Sequence, residues 1–262
     1  MKSIALLLCS TVLAAAAERE MSTDRPDKTE SPYTVPKGMV QLESDLAALT
    51  YDKHNAESAT LESWTFGSLN AKFGLAENVD IQVVFDGYLN EQVKDRTTGT
   101  SLRRDGVGDL TTRLKINLWG NDGGTTALAL MPFVKAPTAS HGLGNDEVEG
   151  GLIIPLAVEL PGGWGMGVMT EFDVTASEDG GGHHAEFVNS VTFGHDLTER
   201  LGFYAEFWSL ISAQDGPAWQ GTVDVGLTFA LNDSIQLDAG CNFGVTESAE
   251  DVHPFVGLSY RF

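Results

Sequence analysis

The side chains best suited to chemistry fall in a few short stretches. Glu178-Asp179-Gly180-Gly181-Gly182-His183-His184 sets carboxylates and imidazoles in one glycine-rich loop, the residue types that hold a divalent metal. Adjacent histidines on an extended chain point to opposite sides, so His183 and His184 seldom share one ion. A solvated loop is the expected reading, with a weak divalent site as its rival. His141 beside Asp146, and His184 with Ser190, are the pairs from which a hydrolase would draw a base and its partner. Such chemistry needs the nucleophile within hydrogen-bond reach of the base. Gly142-Leu143-Gly144 lacks the third glycine and the following helix of a nucleotide-binding loop. No catalytic, cofactor-binding or metal-binding residue is assigned, and no cofactor is expected.

A second set of charged residues is more regular. Glu43, Asp45, Lys72, Asp80, Asp86, Asp109, Arg113, Lys115, Lys135, Glu171, Asp173, Glu206, Asp224, Asp238 and Arg261 lie in segments where polar and apolar residues alternate. Val79, Ile81, Val83 and Phe85 alternate with Asp80, Gln82 and Asp86, and Ile235, Leu237, Ala239, Cys241 and Phe243 with Gln236, Asp238 and Asn242. This period is that of a β-strand with one wet and one apolar face. It starts at Met39 and runs to Phe262, dividing into about twelve strands. Connections at 74–78, 120–124, 161–163, 196–200 and 231–234 are short, whereas those at 52–60, 90–105, 137–146, 176–184, 212–218 and 246–252 are longer and polar. Strict alternation of short and long is how outer-membrane barrels place periplasmic turns and external loops, and a soluble sandwich has no reason to follow it.

The expected fold is therefore all-β: a transmembrane antiparallel up-and-down barrel over 39–262, preceded by a short non-regular segment. A sheet in lipid must close to pair its backbone, and charges at alternate strand positions are tolerable only against a wet lumen. Acids outnumber bases on that face, so a conducting lumen would favour cations. Trp64, Trp119, Trp164, Trp208, Trp219, Tyr88 and Tyr260 lie near strand ends, where aromatic girdles are expected.

Residues 1–17 combine Lys2, a short apolar run and Ala14-Ala15-Ala16-Ala17, the three parts of a secretory signal with cleavage near Ala17. The run is too short to cross a membrane as a helix. Cleavage would remove Cys9 and leave Cys241 alone, excluding an intrachain disulfide. The formal charge of −21 argues against nucleic acid, which needs basic surface to displace counterions.

Residues 18–38 carry Pro26, Pro32 and Pro36, which exclude a helix or central strand. Asp24, Arg25, Asp27, Lys28 and Glu30 mix both signs densely there. A stretch of roughly 14 residues reaches about 45 Å when extended, enough to fold back into a barrel of membrane height. This leader is expected in or across the periplasmic end as a plug, its acids meeting Arg113, Lys115 or Arg261 and its bases Asp109 or Asp238. A disordered periplasmic linker is the alternative. At the other end, Tyr260 and Phe262 form an aromatic, period-two ending that resembles the closing strand by which the barrel assembly machinery recognises its clients.

The stretch Asp24-Arg25-Pro26-Asp27-x-Thr29-Glu30-Ser31-Pro32-x-Thr34-Val35-Pro36-x-Gly38-x-x-Gln41-Leu42-Glu43 resembles the opening of the outer-membrane proteins of the MetA-pathway of phenol degradation family. Gly106-Val107-Gly108-Asp109-Leu110, Pro132-Phe133-Val134-Lys135-Ala136-Pro137-Thr138, and Leu197-Thr198-Glu199-Arg200-Leu201-Gly202 leading to Tyr204-Ala205-Glu206 are similar too. The resemblance implies an outer-membrane barrel that passes small hydrophobic or aromatic compounds, and it implies no catalytic residues.

The sequence thus points to a pore or transporter, not an enzyme, in the outer membrane of a Gram-negative bacterium. Its expected partners are outer-membrane lipid, the barrel assembly machinery and a small-molecule solute, with no nucleic acid. A structural or adhesive barrel without transport is one alternative. A barrel hydrolase is the other, although neither histidine pair has the His-x-Ser arrangement of the barrel phospholipases. Candidate lumen and plug residues are Asp24, Arg25, Asp27, Glu30, Glu43, Asp109, Arg113, Lys115, Lys135, Glu206, Asp224, Asp238 and Arg261, and the candidate assembly signal is Tyr260 with Phe262.

Overall fold

The computed structural model describes residues 19–55, 58–140, 142–177, 181–214 and 219–262. The signal segment 1–17, His141, and Glu178, Asp179 and Gly180 of the histidine loop lie outside the described residues. The strand segments are β1 Val40–Asp52, β2 Ala59–Phe66, β3 Ser68–Ala76, β4 Val79–Phe85, β5 Tyr88–Asp95, β6 Ser101–Val107 and β7 Leu110–Trp119. They continue as β8 Thr126–Ala136, β9 Glu149–Leu160, β10 Trp164–Ala176, β11 His183–Asp196, β12 Leu201–Ser212, β13 Gln220–Asn232, β14 Ile235–Gly244 and β15 Val252–Arg261. All pair antiparallel, and β1 pairs with β15, from Gln41 opposite Arg261 to Tyr51 opposite Val252, so the sheet closes. β2 with β3, β4 with β5, and β6 with β7 are interrupted single strands. The chain is therefore a closed twelve-strand antiparallel barrel.

The three interruptions lie side by side and form a crease. Gly67 breaks the first at φ +68° and donates its N–H to the Asp45 carbonyl, where β1 carries a bulge. At the second, a Cβ on Gly87 would collide with the Phe66 carbonyl and the Ser68 nitrogen; only glycine permits this approach. Across the third, Gly108 donates its N–H to the Asp86 carbonyl and Asp86 donates its own to the Asp109 carbonyl. Below the crease the order is β1-β3-β4-β7-β8; above it, β1-β2-β5-β6. Among the described residues β6 pairs with no strand on its outer side, and Ser140 bonds Val107 there instead.

Residues 90–105, expected as a long loop, are mostly strand: β5 and β6 continue through them, leaving a turn at 96–100. Asn90, Glu91, Gln92, Lys94, Arg103, Arg104 and Asp105 make both faces polar, which removes the period-two signal. Beyond the lipid, both faces of a strand are wet.

Within the lipid span the two faces separate as the alternation predicts. Phe172, Phe187, Val223, Val225, Leu227, Phe229 and Val256 are exposed on the outer surface, while Asp80, Gln82, Asp224 and Ser259 have no exposed surface. Exposed apolar rings are stable only against hydrocarbon here. Trp64, Trp119, Trp164, Trp219, Tyr88 and Tyr260 also face outward. Trp208 does not. It packs beside Met131, Ile153, Met169 and Val188, an apolar cluster on the inner wall. Its parity with buried Glu206 explains the inward turn, because residues two apart share a face.

Candidate functional site

The lumen is occupied by the leader. Arg19 donates to the Glu77 carbonyl in the β3–β4 turn and lies 3.7 Å from Asp122 in the β7–β8 turn. The chain then climbs inside the barrel, crosses it at 24–30, and returns to the same end. There Gly38 donates to the Gly74 carbonyl, and the strands begin. That end carries the short turns and is periplasmic by the rule for such barrels. Prolines at 26, 32 and 36 deny the segment a ladder, so the lumen side chains satisfy its backbone. Glu43 accepts from the Asp24 N–H at 3.0 Å, Glu206 from Lys28 and Thr29 at 2.9 and 2.8 Å, and Asp80 from Val35 at 2.9 Å. Asn117 donates to the Pro32 carbonyl and Asn121 accepts from the Thr34 N–H. A carboxylate accepting such bonds gives one of the stronger hydrogen bonds available to a chain without secondary structure.

Charges fix the crossing. Asp24 lies 2.5 Å from both Lys72 and Lys115, and Lys72 also pairs with Glu43. All four side chains are almost wholly buried. Asp24 also accepts from the Ser31 N–H at 3.0 Å, closing 24–31 into a loop. From that loop Arg25 reaches Asp45 and Asp238, each at 2.7 Å, and lies 5.5 Å from the centre of the Phe255 ring. Lys28 lies 4.4 Å from the Trp208 ring centre, 3.0 Å from the Thr222 hydroxyl and 3.5 Å from Asp224. Glu30 pairs with Arg113 at 2.5 Å. A guanidinium or ammonium over a desolvated ring contributes up to about 2 kcal/mol.

The structure brings together most of the residues singled out in the sequence. Asp24 meets Lys115, Glu30 meets Arg113, and Arg25 meets Asp238, while Glu43, Glu206 and Asp224 receive the rest of the loop. Asp27 faces the Thr192 hydroxyl and makes no ion pair among the described residues. Arg261 is buried beside the seam, opposite Gln41. Asp109 stands apart: it accepts from the Thr138 and Ala139 N–H groups at 2.8 and 2.9 Å and lies 3.6 Å from Lys135, which pairs with Glu149 at 2.5 Å. It anchors the loop after β8 at the crease and does not touch the leader. The Gly108 turn that places it there has no signature in strand alternation.

Sequence reasoning missed Phe255 and Trp208 as seats for the leader's cations. Phe255 was the one large apolar residue on the polar face of β15, and that mismatch was the available signal.

His184 and Ser190 do not meet, and the pair of His141 with Asp146 falls outside the described residues. His184 contacts Thr175, Ser177 and Glu186. Ser190 is six positions further along the same strand, about 20 Å away at strand rise, and its hydroxyl bonds Thr29 at 2.6 Å. His183 turns outward to the Val148 carbonyl. Among the described residues no group of three or more His, Cys, Asp or Glu is placed to hold a metal ion.

Space remains beside the leader. A chamber of about 430 Å³ lies between it and β9–β13 on the short-turn side, and one of about 210 Å³ lies against β1, β3, β4 and β7 near the crease. Glu30 borders both.

A family model described as "Putative MetA-pathway of phenol degradation" matches residues 23–262. The chain belongs to this family. The match takes in the lumen leader of this MetA-pathway family member as well as its barrel. Among solved structures, the COG4313 outer membrane channel from Pseudomonas putida F1 is similar at 14% identity, with 92% of this chain and all of that one covered, at a TM-score of 0.67. The β domain of the Bordetella autotransporter BrkA shares 13% identity, covering 86% of this chain and 100% of that domain, at 0.54. The NanC porin shares 9%, covering 84% and 98%, at 0.51. At these identities the likeness is one of fold, that of outer-membrane β-barrels. No curated protein matches the sequence.

Proposed function

We propose that the protein is a passive outer-membrane channel for small hydrophobic or aromatic solutes, closed at rest by residues 19–38, in a Gram-negative bacterium. One observation carries this reading. Apart from the Lys37–Gly74 bridge with its adjoining turn, and the contacts of Arg19 and Thr34 with the β3–β4 and β7–β8 turns, the leader is held to the barrel through side chains of the inner face. It can leave the lumen without opening a strand pair, so the wall and the plug are mechanically separate. The family match and the fold shared with a bacterial outer membrane channel support the reading. A purely structural barrel would have no use for a removable occupant, and the separation of His184 from Ser190 speaks against hydrolysis.

Deletion of residues 24–35, inside the leader, tests it. In planar bilayers the deleted barrel should conduct several-fold more than the full chain and pass small aromatic solutes. Equal conductance in a correctly folded deletion would reject the plug.

A further inference from the structure

We infer that the larger chamber is a binding site for a small organic cation with an apolar body, such as a protonated aromatic amine. The inference rests on the channel reading and names the solute class that its inner site takes. At about 430 Å³ the chamber is at the small end of ligand sites, a fit for a single-ring solute.

The space exists because the wall lacks side chains there. Gly165 and Gly194 turn inward, and a Cβ added to Gly165 would meet nothing within 4 Å, while one on Gly194 would meet only the Phe203 carbonyl at 3.6 Å. Opposite them the leader supplies Pro26, Pro32 and Tyr33, a flat apolar surface with one ring.

The charge of the lining is one-sided. Asp27 and Glu30 from the leader, with Glu159 and Asp196 from the wall, border the chamber, and no Lys or Arg does so. Among the described residues only Glu30 of the four is in an ion pair, with Arg113, through Oε1. Its Oε2 is buried without a hydrogen-bond partner. Lys28, the nearest leader base to Asp27 in sequence, turns away to Trp208 and Asp224. Thr192, 9% exposed, lines the chamber beside Asp27, and its hydroxyl makes no well-formed hydrogen bond. Carboxyl groups gathered without a counter-charge, next to an unsatisfied hydroxyl and a ring, favour a ligand that brings hydrogen-bond donors on a positive head. An aromatic carboxylate would instead meet like charge with no Lys or Arg of the lining to receive it.

Equilibrium dialysis of the purified full chain in detergent against benzylammonium, benzyl alcohol and benzoate tests this. Benzylammonium should bind saturably at one per chain, and benzoate should not. Asp27→Asn should weaken binding roughly tenfold or more, the scale of one charge-assisted hydrogen bond. Gly165→Leu should abolish it by filling the chamber, without perturbing heat-modifiable folding. Benzoate binding as tightly as benzylammonium, or unchanged binding in folded Asp27→Asn, would overturn the inference. The two readings separate cleanly. If benzylammonium binds but deletion of 24–35 opens no conductance, the channel reading fails and the site stands. If the deletion conducts but benzylammonium does not bind the full chain, the site fails and the channel stands.

Discussion

Asp24 and Lys115 meet at 2.5 Å inside the barrel although 91 positions separate them, and their side chains are 6% and 1% exposed. Lys72 closes on the same carboxylate. Removing one partner of a buried pair costs about 3–5 kcal/mol, because the remaining charge stays desolvated. Asp24→Ala would remove the carboxylate that both ammonium groups share, leaving Lys72 its pair with Glu43 and Lys115 without its ion pair. The leader should then leave its seat while the barrel stays folded. Trypsin should cut after Lys28 in the variant and not in the parent, with heat-modifiable migration unchanged. Resistance equal to the parent's would show that the knot does not hold the segment.

The seam makes a second prediction. Val40 and Phe262 exchange backbone bonds at 2.8 and 2.9 Å, and the Tyr260 and Phe262 rings stack at 5.1 Å on the outer face. Deleting Phe262 removes the last rung of β1–β15 and the terminal ring together. We expect the inserted, heat-modifiable form to fall several-fold, with unfolded chain accumulating in the periplasm. Normal levels would argue that neither is needed for assembly.

Much of this architecture was legible because lipid imposes one strict rule: a strand must show hydrocarbon an apolar face. That rule made Asp80, Asp224 and Asp238 readable as inward, and the two lengths of connection readable as two sides. It stops at the membrane surface, which is why β5 and β6 were hidden in a polar stretch. It also assigns a face only by parity, so an aromatic within a strand, such as Trp208 in β12, is ambiguous until counted against Glu206. The leader's charges announced a lumen occupant, and the partners of Asp24, Arg25 and Glu30 were among those its signs allowed. Asp109 was misjudged because alternation is silent about creases: the Gly108 break turns its carboxylate to a loop.

The acidic lumen makes a third prediction, now divided. In the 24–35 deletion, where Arg25 and Lys28 no longer neutralise them, Asp224 and Asp238 line the path. Charge reversal of both should reduce cation preference, read as a reversal potential in a salt gradient. Asp109 is held by two loop N–H groups and Lys135. Its reversal should leave selectivity near that of the parent and instead raise protease access to residues 138–140. A selectivity change as large as that of Asp224 would return Asp109 to the conducting wall.

The last prediction concerns Glu30, the one residue that, among the described residues, borders both chambers. It lies at the neck of the loop, one residue before the Ser31–Asp24 bond, so turning its side chain aside would join the two spaces while Asp24 stays anchored. The Arg113 pair opposes this: one hydrogen bond between charged groups contributes about 1.5–3 kcal/mol, or roughly 10- to 100-fold in the balance of seated and displaced side chain. Glu30→Gln keeps the shape and removes the charge. It should raise the frequency of brief openings by that factor without reaching the steady conductance of the deletion. Arg113→Gln should open the path further, because it strands Glu30 without a counter-charge. If the two act through one contact, the double variant should open no more than Arg113→Gln alone. Additive effects, or single variants that gate like the parent, would place the partition elsewhere on the loop, with Arg25 and its seat between Asp45 and Asp238 the next to test.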